Sequence, residues 1–360
     1  MKICHIISAF GFGGAEKLLA DLVNIQSNDH EIHIVYFKGE PLLQSMLTGK
    51  IQLHKIDLNM KCASHLRRKI KLLDPQVVHT HLGHADLIGL WSCRNLPVKR
   101  FCTMHNIWFK WSWFDYVIFI FYQILFKTAA KDCRVIAISK SVFHHVENVL
   151  CVPESRIRLI YNAIPQCLVR SSKEELRKEL NMPANCFSIL FVGRLEPQKS
   201  VETLMRAIKE LRDDIKDFRL VIVGQGSLRP KLQELAIELN VSDIVLFKGT
   251  TTQAEKYFSA SDIFVLPSVF EGFGLVILEA FRASVPVIAT NIEGPRELIQ
   301  NNVNGLLFEP KDCQVLARHI LDLFKSTDRR NFIGKNGFKS YKDNFDINNY
   351  AKKIEELYLQ

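Results

Sequence analysis

Two glutamates, Glu271 and Glu279, enclose a glycine-rich turn in the run Glu271-Gly272-Phe273-Gly274-Leu275-Val276-Ile277-Leu278-Glu279. Gly272 and Gly274 let the backbone approach a ligand closely, and a helix that begins after them offers unpaired N–H groups and a positive dipole end. This arrangement suits an anion such as a phosphate. In a continuous helix the two carboxylates lie about 12 Å apart, farther than the roughly 5–9.5 Å between the paired carboxyls of a glycosidase. Surface helices also carry spaced glutamates, but the spacing favours two acids that bind opposite ends of one elongated ligand.

A second candidate element begins with an apolar run, Phe187–Val192, that predicts a buried strand. It continues directly into Gly193-Arg194-Leu195-Glu196-Pro197-Gln198-Lys199, so one loop holds two cations. Arginine can clamp phosphate oxygens with its planar fork, and lysine adds a point charge. Together Arg194 and Lys199 can neutralise a diphosphate, although two solvated loop cations give the same pattern.

With these motifs the chain resembles a known family, the retaining GT-B-fold glycosyltransferases of glycosyltransferase family 4, of the type that makes bacterial cell-surface polysaccharides. Four motifs occur in the family's order: Gly13-Gly14-Ala15-Glu16 after the first strand, His105 after a mid-chain strand, Gly193-Arg194 through Lys199, and Glu271 to Glu279. The glycine motif and the histidine are unspecific alone. The cationic loop and the acid pair are specific in this order and spacing, and the resemblance spans nearly the whole chain.

The resemblance implies transfer of a sugar from a nucleotide diphosphate donor to an acceptor hydroxyl, in a cleft between two domains. It assigns catalytic roles to His105, Arg194, Lys199 and Glu271, and substrate-binding roles to Gly14, Phe273, Gly274, Leu275 and Glu279. Arg194 and Lys199 would stabilise the leaving diphosphate, a role that can replace a metal, so no metal or other cofactor is expected. Glu271 would contact the sugar hydroxyls, Glu279 the ribose and His105 the transferred sugar. Gly14, Phe273, Gly274 and Leu275 would contribute backbone groups. No residue is recognisable as a covalent nucleophile.

Strands and helices alternate along the chain, which predicts an α/β fold with two Rossmann-like parallel sheets, the GT-B architecture that the resemblance also implies. The expected domains are residues 1–166 on the acceptor side, residues 167–345 for the nucleotide sugar, and a C-terminal helix, 346–360, that crosses back to the first domain. Predicted strands lie near residues 2–8, 31–37, 76–80, 99–104, 134–138 and 156–160, and near 187–192, 219–223, 244–247, 263–266, 285–289 and 305–308.

Composition agrees with a two-domain enzyme of the cytoplasm. The chain has 360 residues, 48% of them hydrophobic, which is enough for two separate cores. Its nine cysteines are scattered without a Cys-x-x-Cys pair, and the apolar run from Ile3 to Ile7 is too short for a signal peptide. Both observations indicate a reducing compartment.

Charge is divided unevenly, and this is the main indication of a partner surface. Residues 1–170 contain 21 Lys and Arg against 12 Asp and Glu, whereas residues 171–360 contain 26 of each, so the first half holds the whole excess of +9. The segment Lys61–Leu73, with Arg67-Arg68-Lys69, has the spacing of an interfacial helix. No helix-turn-helix, zinc or RNA-binding signature accompanies the basic half, so no nucleic acid is expected.

An aromatic run, residues 107–122, adds Trp108, Trp111 and Trp113, which are typical of a membrane headgroup region. The uncharged part, 116–126, is too short to span a bilayer, which needs about 20 apolar residues. We therefore expect peripheral binding to anionic lipid at the inner face of the cell membrane, where the enzyme would meet a glycan or lipid-linked acceptor. A buried core helix remains the alternative for this run.

Three further patterns have competing interpretations. The run His79-Thr80-His81-Leu82-Gly83-His84 places two histidines on one strand face, as in a zinc site, but it lacks a convincing fourth ligand. Gly224-Gln225-Gly226 resembles the start of a dinucleotide fingerprint, but Arg229 replaces its third glycine and no ribose-binding acid follows, which disfavours NAD. Glu293-Gly294-Pro295-Arg296-Glu297 resembles the family's glycine-rich turn and is equally typical of a helix cap.

The chain departs from the family at Asn162-Ala163-Ile164-Pro165, where many members have Asn-Gly-Ile/Val-Asp. Two other functions fit the same motifs, a sugar-nucleotide 2-epimerase and a catalytically silent nucleotide-sugar-binding subunit. We expect a UDP-sugar ahead of a GDP-sugar as donor.

Overall fold

The computed structural model describes residues 1–11, 13–105, 113–167 and 169–360, with the backbone alone for residues 113–116. It divides the chain into two units, an N-terminal unit of Met1–Pro165 with Ile347–Gln360, and a C-terminal unit of Gln166–Asp346. The Trp108 and Trp111 of the predicted membrane-facing run lie outside the described residues, and the side chain of Trp113 is not described.

The N-terminal unit is a parallel sheet with helical crossovers, as the alternating pattern predicts. Its elements in chain order are β1 (Lys2–Ala9), α1 (Gly14–Gln26), β2 (Glu31–Lys38), β3 (Ile51–Lys55), α2 (Cys62–Leu73), β4 (Val77–His81), α3 (Gly83–Ser92), β5 (Lys99–Met104), α4 (Trp113–Lys127), β6 (Arg134–Ala137), α5 (Lys140–Asn148) and β7 (Ile157–Leu159). The strands described in this unit pair in the order β3-β2-β1-β4-β5-β6-β7. The edge strand β3 is missing from the sequence prediction, because its residues are only half-buried and form no continuous apolar run.

The C-terminal unit repeats this plan with a second parallel sheet. Its elements are α6 (Lys173–Glu179), β8 (Phe187–Val192), α7 (Val201–Glu210), β9 (Phe218–Val223), α8 (Arg229–Glu238), β10 (Val245–Gly249), α9 (Ala254–Ala260), β11 (Ile263–Leu266), α10 (Leu275–Arg282), β12 (Val287–Thr290), α11 (Pro295–Leu298), β13 (Leu306–Phe308), α12 (Cys313–Lys325) and α13 (Thr327–Asn344). Its described strands pair in the order β10-β9-β8-β11-β12-β13. The strand order therefore reverses between β8 and β11.

Local chemistry explains where several of these helices begin. In the part of the chain that the structure describes, four N-cap side chains accept a hydrogen bond from a first-turn N–H group, which satisfies one of the unpaired donors of each helix. They are Ser139 on α5, Ser172 on α6, Asp312 on α12 and Ser326 on α13. Ser172 also forms a capping box with Glu175, so the polar segment that joins the two sheets ends in a well-defined helix start.

A last helix, α14 (Ile347–Leu359), belongs to the N-terminal unit. Ile347, Tyr350, Ile354 and Tyr358 are buried in the same apolar cluster as Leu18 and Leu22 of α1. The sequence places these apolar residues at intervals of three and four, which aligns them on one face of a helix. Helix α14 thus completes the core on one side of the N-terminal sheet.

Candidate functional site

The cationic loop begins at the carboxyl end of β8, next to the point where the strand order of the C-terminal sheet reverses. All six residues of β8 except Val192 are buried, as expected for a central parallel strand. The chain then passes Arg194 and forms a short 3-10 turn, Pro197–Lys199, before α7 begins. In open α/β sheets, ligands bind outside the carboxyl ends of the strands at such a reversal. The fold therefore places Arg194 and Lys199 where a ligand is expected.

The acidic loop follows β11, the strand that pairs with β8. It carries Glu271 and ends at Gly274, whose backbone has φ +95° and forms the N-cap of α10. Because the N-cap is a glycine, no side chain caps this helix, and its first N–H groups face the loop. Leu275 is the first residue of α10, and Glu279 lies one turn further along, almost fully buried.

Lys199 and Glu271 meet across these two loops. Lys199 Nζ donates to Glu271 Oε2 at 2.5 Å, and the two side chains are only 12% and 15% exposed. Ser268 Oγ donates to the same carboxylate oxygen at 3.3 Å. The cation predicted for the diphosphate and the acid predicted for the sugar thus form one pair at adjacent strand ends, and this pair is the centre of the candidate site.

Backbone contacts hold the two loops at a defined distance. The Val269 N–H donates to the Gln198 carbonyl at 2.9 Å, and Gln198 Nε2 donates to the Phe270 carbonyl at 3.0 Å. A third loop, after β12, closes over the acidic loop at Gly294, which has φ +59°. A Cβ atom at this position would lie 2.6 Å from the Glu271 carbonyl oxygen, so only glycine fits there. The turn Gly294-Pro295 therefore supports Glu271 as well as starting α11.

The glycines of Gly224-Gln225-Gly226 also have a structural explanation. Gly224 has φ +145°, and a Cβ atom on it would lie 1.9 Å from the Gly193 carbonyl oxygen. The Leu195 N–H donates to the Gln225 carbonyl at 2.9 Å. These glycines let the loop after β9 pack directly against the cationic loop, so they shape the site without forming a dinucleotide fingerprint.

Arg194 differs from Lys199 in its surroundings. Its side chain is exposed, and it forms no ion pair with any residue in the described parts of the chain. The neighbouring Glu196 is instead held by Ser227, whose N–H and Oγ donate to the carboxylate at 2.9 and 2.7 Å. These hydrogen bonds, ahead of the charge of Arg194, lower the pKa of Glu196. Arg194 is therefore available to an anionic ligand.

Phe273 does not present its ring to the site. Its side chain is buried and packs edge-to-face on Phe345, with ring centroids 6.2 Å apart. The packing fixes the backbone between Glu271 and the start of α10. Phe273 and Gly274 can thus contribute backbone groups only, in the manner that the family resemblance implies.

In the N-terminal unit, Gly14 is the first residue of α1, and Gly13 is its N-cap. The carboxylate of Glu16 folds back over Gly13, and a Cβ atom on Gly13 would lie 2.1 Å from Glu16 Oε2. An acid in the first turn interacts favourably with the helix dipole. The Glu16 carboxylate therefore occupies the positive end of α1, and the role of Gly14 toward a diphosphate stays a prediction.

His105 follows β5 directly and is buried. It belongs to a group of histidines on the neighbouring strands β1 and β4. His81 Nδ1 lies 3.4 Å from His105 Nε2, and His81 Nε2 lies 3.1 Å from His5 Nδ1. His79 instead bonds Tyr358 Oη through Nδ1 at 2.5 Å and Thr103 Oγ1 through Nε2 at 2.7 Å.

Burial sets the charge of this histidine group. It lowers the pKa of His5 and of His105 to about 4, and it lowers the pKa of His79 and His81 well below the usual 6.5. All four rings are therefore neutral at physiological pH. Each can donate one hydrogen bond and accept one.

The same group contains the residues with metal-ligand spacing. One nitrogen each of His5, His79 and His81 lies within 4.8 Å of the other two. Both ring nitrogens of each of these histidines already have a protein partner, namely Gln26, Tyr358, Thr103 or another histidine. A metal would have to replace these hydrogen bonds, so the geometry favours a hydrogen-bonded network over a zinc site.

Comparisons with known proteins match both units. The model of the family described as Glycosyltransferase Family 4 matches residues 12–166, and the model described as Glycosyl transferases group 1 matches residues 172–340. The chain belongs to the family-4 glycosyltransferases. The two parallel sheets give it the GT-B fold, and it is an enzyme of the hexosyltransferase class. The predicted glycosyltransferase family and the GT-B fold are confirmed, and retention of configuration stays a prediction.

Two curated relatives and one solved structure illustrate the similarity. An Escherichia coli UDP-Gal:alpha-D-GlcNAc-diphosphoundecaprenol alpha-1,3-galactosyltransferase is 28% identical over 385 residues, which cover 100% of this chain and 97% of the relative. A Campylobacter jejuni N-acetylgalactosamine-N,N'-diacetylbacillosaminyl-diphospho-undecaprenol 4-alpha-N-acetylgalactosaminyltransferase is 26% identical over 327 residues, 86% of each chain. Anabaena HepE, solved with UDP and with UDP-glucose, superposes with a TM-score of 0.87 at 20% identity over 99% of both chains.

Three residues of this enzyme's candidate site were not foreseen from its sequence: Ser268, His5 and Gln26. Ser268 precedes Glu271 by three residues, the spacing of a local turn, so its contact could have been inferred. His5 lies opposite His79 in the register of β1 and β4, and the alternation of these two strands could have revealed it. Gln26 is the last residue of α1, and no pattern in the sequence indicated its contact with His5.

The surface predicted to bind lipid differs from the expectation at α2. The apolar residues Cys62, Leu66 and Ile70 pack into the core, so this face of α2 is not free for a membrane. Arg67 Nη1 donates to the carbonyls of Ser92 and Arg94, both at 2.8 Å. The guanidinium thereby provides hydrogen bonds to carbonyl groups at and just after the C-terminal end of α3. The face of Lys61–Leu73 that holds Cys62, Leu66 and Ile70 is therefore not the lipid-facing side of an interfacial helix, whereas membrane binding itself stays a prediction.

An exposed apolar stripe lies instead on α4. Phe121 is 58% exposed and Ile124 is 51% exposed, and Ile120 adds to the same face, while Tyr122 and Phe126 on the opposite side are buried. Helix α4 therefore packs into the core with one face and exposes the other face to solvent. No helix in the described residues is long and apolar enough to cross a membrane.

Proposed function

We propose that this enzyme is a retaining glycosyltransferase that transfers a sugar from a nucleotide diphosphate sugar, with UDP-sugar as the first candidate, to a hydroxyl group of a lipid-linked glycan. The observation that carries the proposal is the Lys199–Glu271 pair, which lies where the strand order of the C-terminal sheet reverses. A cation and an acid at adjacent strand ends match a ligand with a charged diphosphate beside a neutral sugar.

Lys199 and Arg194 supply the charge that leaving-group departure needs. Negative charge grows on the diphosphate as the sugar leaves, and preorganised cations stabilise it without rearrangement. Lys199 is held in place by Glu271, and Arg194 is exposed beside the same strand end. We propose that the two cations suffice and that turnover requires no divalent metal.

Glu271 and Glu279 divide the recognition of the donor. Glu271 belongs to the loop and reaches the sugar hydroxyls as an acceptor, whereas Glu279 is buried on α10 and binds the ribose hydroxyls. Backbone groups of Phe273, Gly274 and Leu275 assist, and His105 and Gly14 of the N-terminal unit contact the transferred sugar and the diphosphate. A carboxylate neutralised by Lys199 is a weak nucleophile, which supports same-face attack by the acceptor over a covalent intermediate.

The acceptor proposal depends on the relatives. Both curated relatives described above have diphosphoundecaprenol in the name of their substrate, which is a lipid-linked diphosphate sugar. We propose an acceptor of the same chemical class for this enzyme, in cell-surface polysaccharide synthesis at the cytoplasmic face of the membrane. UDP in HepE supports a uridine nucleotide.

A donor screen tests the reaction. UDP-sugars and GDP-sugars are compared by thermal shift, since a ligand at about 100 times its Kd stabilises the folded enzyme by roughly 2.7 kcal/mol. The stabilising donor is then incubated with and without an undecaprenyl-diphosphate glycan, in the presence and absence of EDTA. We expect transfer that depends on the acceptor, retains the anomeric configuration and is not inhibited by EDTA. A changed sugar without acceptor would indicate the 2-epimerase, and loss of transfer in EDTA would contradict metal independence.

The exposed stripe of α4 is the proposed membrane contact. Ile120, Phe121 and Ile124 form an apolar face, and Lys127 lies exposed at its end. The N-terminal half of the sequence also holds the whole positive excess. Near an anionic surface each Lys or Arg contributes about 1 kcal/mol, so a few cations and inserted side chains give reversible binding.

Flotation with vesicles of anionic and of zwitterionic phospholipid tests this contact. Phe121→Ser/Ile124→Ser should lose binding to anionic vesicles, and Ile237→Ser is the matched control, since Ile237 is 71% exposed on α8 of the C-terminal unit. Arg68→Glu/Lys71→Glu replaces exposed cations of α2 and avoids Arg67, which supports α3. High salt should release the wild type. Equal flotation of the α4 variant and the control would refute the contact.

A further inference from the structure

A continuous chain of side chains connects the end of α1 with His105 inside the N-terminal unit. Gln26 Oε1 lies 2.9 Å from His5 Nε2, His5 Nδ1 lies 3.1 Å from His81 Nε2, and His81 Nδ1 lies 3.4 Å from His105 Nε2. All four side chains are buried. The last link is the longest, but two facing nitrogens must still be one donor and one acceptor, because two lone pairs or two N–H groups repel.

The direction of the chain follows from the group at its end. The carbonyl oxygen of Gln26 accepts only, so His5 Nε2 carries the hydrogen. Since the ring is neutral, His5 Nδ1 is then a bare acceptor, and it receives a hydrogen bond from His81 Nε2. Because His81 is also neutral and carries its hydrogen on Nε2, its Nδ1 has a lone pair. His105 Nε2 must then carry the hydrogen of the last link.

The orientation of the Gln26 amide is the premise of this argument. Reversing it would turn every hydrogen bond of the chain around. Gln26 Nε2 has no partner in full hydrogen-bonding geometry within the described residues. The structure places the amide oxygen 2.9 Å from His5 Nε2, and the Gln26 side chain also lies next to Tyr358, where its contact lowers the pKa of the phenol against the effect of burial.

We propose that Gln26, His5 and His81 are positioning residues that keep the hydrogen of His105 on Nε2 and thereby present its Nδ1 as a hydrogen-bond acceptor. The ligand for this acceptor is a hydroxyl group of the transferred sugar, and this assignment of the ligand rests on the proposed function. No hydrogen bond to His105 Nδ1 is made by the residues that the structure describes.

The chemical consequence is specific. A neutral ring with hydrogen on Nε2 accepts from a hydroxyl group at Nδ1, whereas the other tautomer and the imidazolium can only donate at Nδ1. Burial removes the imidazolium, since it holds the pKa of His105 at about 4. The network therefore determines whether His105 accepts a hydrogen bond from the sugar or donates one to it. It does so through residues that do not contact the sugar.

Nuclear magnetic resonance of the full chain labelled with 15N-histidine tests the tautomer without any substrate. The couplings between ring nitrogens and ring protons distinguish the two neutral tautomers, and the spectrum of His105→Asn identifies the signals of His105. Hydrogen on Nε2 is the expected result, and hydrogen on Nδ1 overturns the proposal. In Gln26→Met, which offers His5 no amide acceptor, the pattern should become a mixture of the two tautomers, and an unchanged pattern there would remove Gln26 from its assigned role.

An activity comparison tests the hydroxyl contact separately. Asparagine can place an acceptor oxygen near the position of the histidine Nδ1, whereas glutamine places its amide near Nε2. His105→Gln should therefore lower kcat/KM about fivefold more than His105→Asn, the loss expected for one neutral hydrogen bond of roughly 1 kcal/mol. Equal losses would overturn the acceptor role of Nδ1 even if transfer itself is demonstrated. Absence of transfer in the wild type would refute the proposed function and leave the tautomer measurement valid.

Discussion

Replacing Lys199 by methionine removes the charge of the central pair but keeps the length of the side chain. The structure allows the cost in stability to be bracketed. Exposed ion pairs contribute about 0.2–1 kcal/mol, and breaking a fully buried pair costs about 3–5 kcal/mol. Lys199 and Glu271 are 12% and 15% exposed and 2.5 Å apart. We therefore expect Lys199→Met to lower the free energy of unfolding by roughly 2 kcal/mol, because among the described residues Glu271 then keeps only the long bond to Ser268.

Two causes of lost activity must then be separated, the lost positive charge and a displaced Glu271. The double-mutant cycle with Glu271→Gln separates them, since an amide at position 271 does not need the cation. For stability, Lys199→Met should cost little in the Glu271→Gln background. For kcat/KM, it should still cost about 100-fold or more, the usual loss for one preorganised charge-stabilising group.

The assays are urea unfolding and transfer kinetics of the four proteins, with calorimetry of UDP binding as a third measurement. A loss of kcat/KM below about tenfold for Lys199→Met in the Glu271→Gln background would refute leaving-group stabilisation. Lys199 would then be a residue that only holds Glu271 in place. Lys256→Met is a suitable control, because Lys256 forms a 2.5 Å pair with Glu179 away from the strand reversal.

Two further predictions concern other acids. Glu279→Gln should weaken UDP binding in calorimetry, whereas Glu271→Gln should slow transfer with little change in UDP affinity; equal losses of UDP affinity would contradict the division of the donor between them. Burial raises the pKa of Asp86 from 3.8 to about 6, so the folded state is penalised as the pH rises through this window, by up to about 3 kcal/mol. Asp86→Asn should therefore gain stability relative to the wild type between pH 4 and pH 7 in urea unfolding, and a difference that does not vary with pH would show that Asp86 ionises normally.

The elements around the candidate site could be predicted because their signals are local. The strands β8 and β11 are continuous apolar runs, and the glycines and charged residues follow them directly in the sequence. Strand β3 was missed since an edge strand is half-exposed and has weak alternation. The apolar face of α2 has the same periodicity whether it meets lipid or a protein core, so only the structure could separate these possibilities.

Beyond the strand alternation that relates His5 to His79, the histidine network could not be predicted, because its other members come together through the fold alone. His79 and Tyr358 are 279 positions apart and are in contact at 2.5 Å. The contact needs α14 to pack on the N-terminal core, and no local pattern specifies that packing. The zinc-like spacing of His79 and His81 was visible, but its meaning depends on Gln26, Thr103 and Tyr358, which occupy the ring nitrogens.

The two units also differ in the kind of polar chemistry that they hold in place. The C-terminal unit holds charged groups: Lys199 bonds Glu271, and Glu196 is fixed beside an exposed Arg194. Around His105 the N-terminal unit holds neutral groups, since burial keeps the histidines there uncharged. A nucleotide diphosphate sugar has the same division, with its charge on the diphosphate and uncharged hydroxyl groups on the sugar. A buried neutral acceptor such as His105 is inexpensive to desolvate against a hydroxyl group and poor at binding a phosphate. This difference between the two groups of residues supports the proposed assignment of the diphosphate to Arg194 and Lys199 and of a sugar hydroxyl to His105.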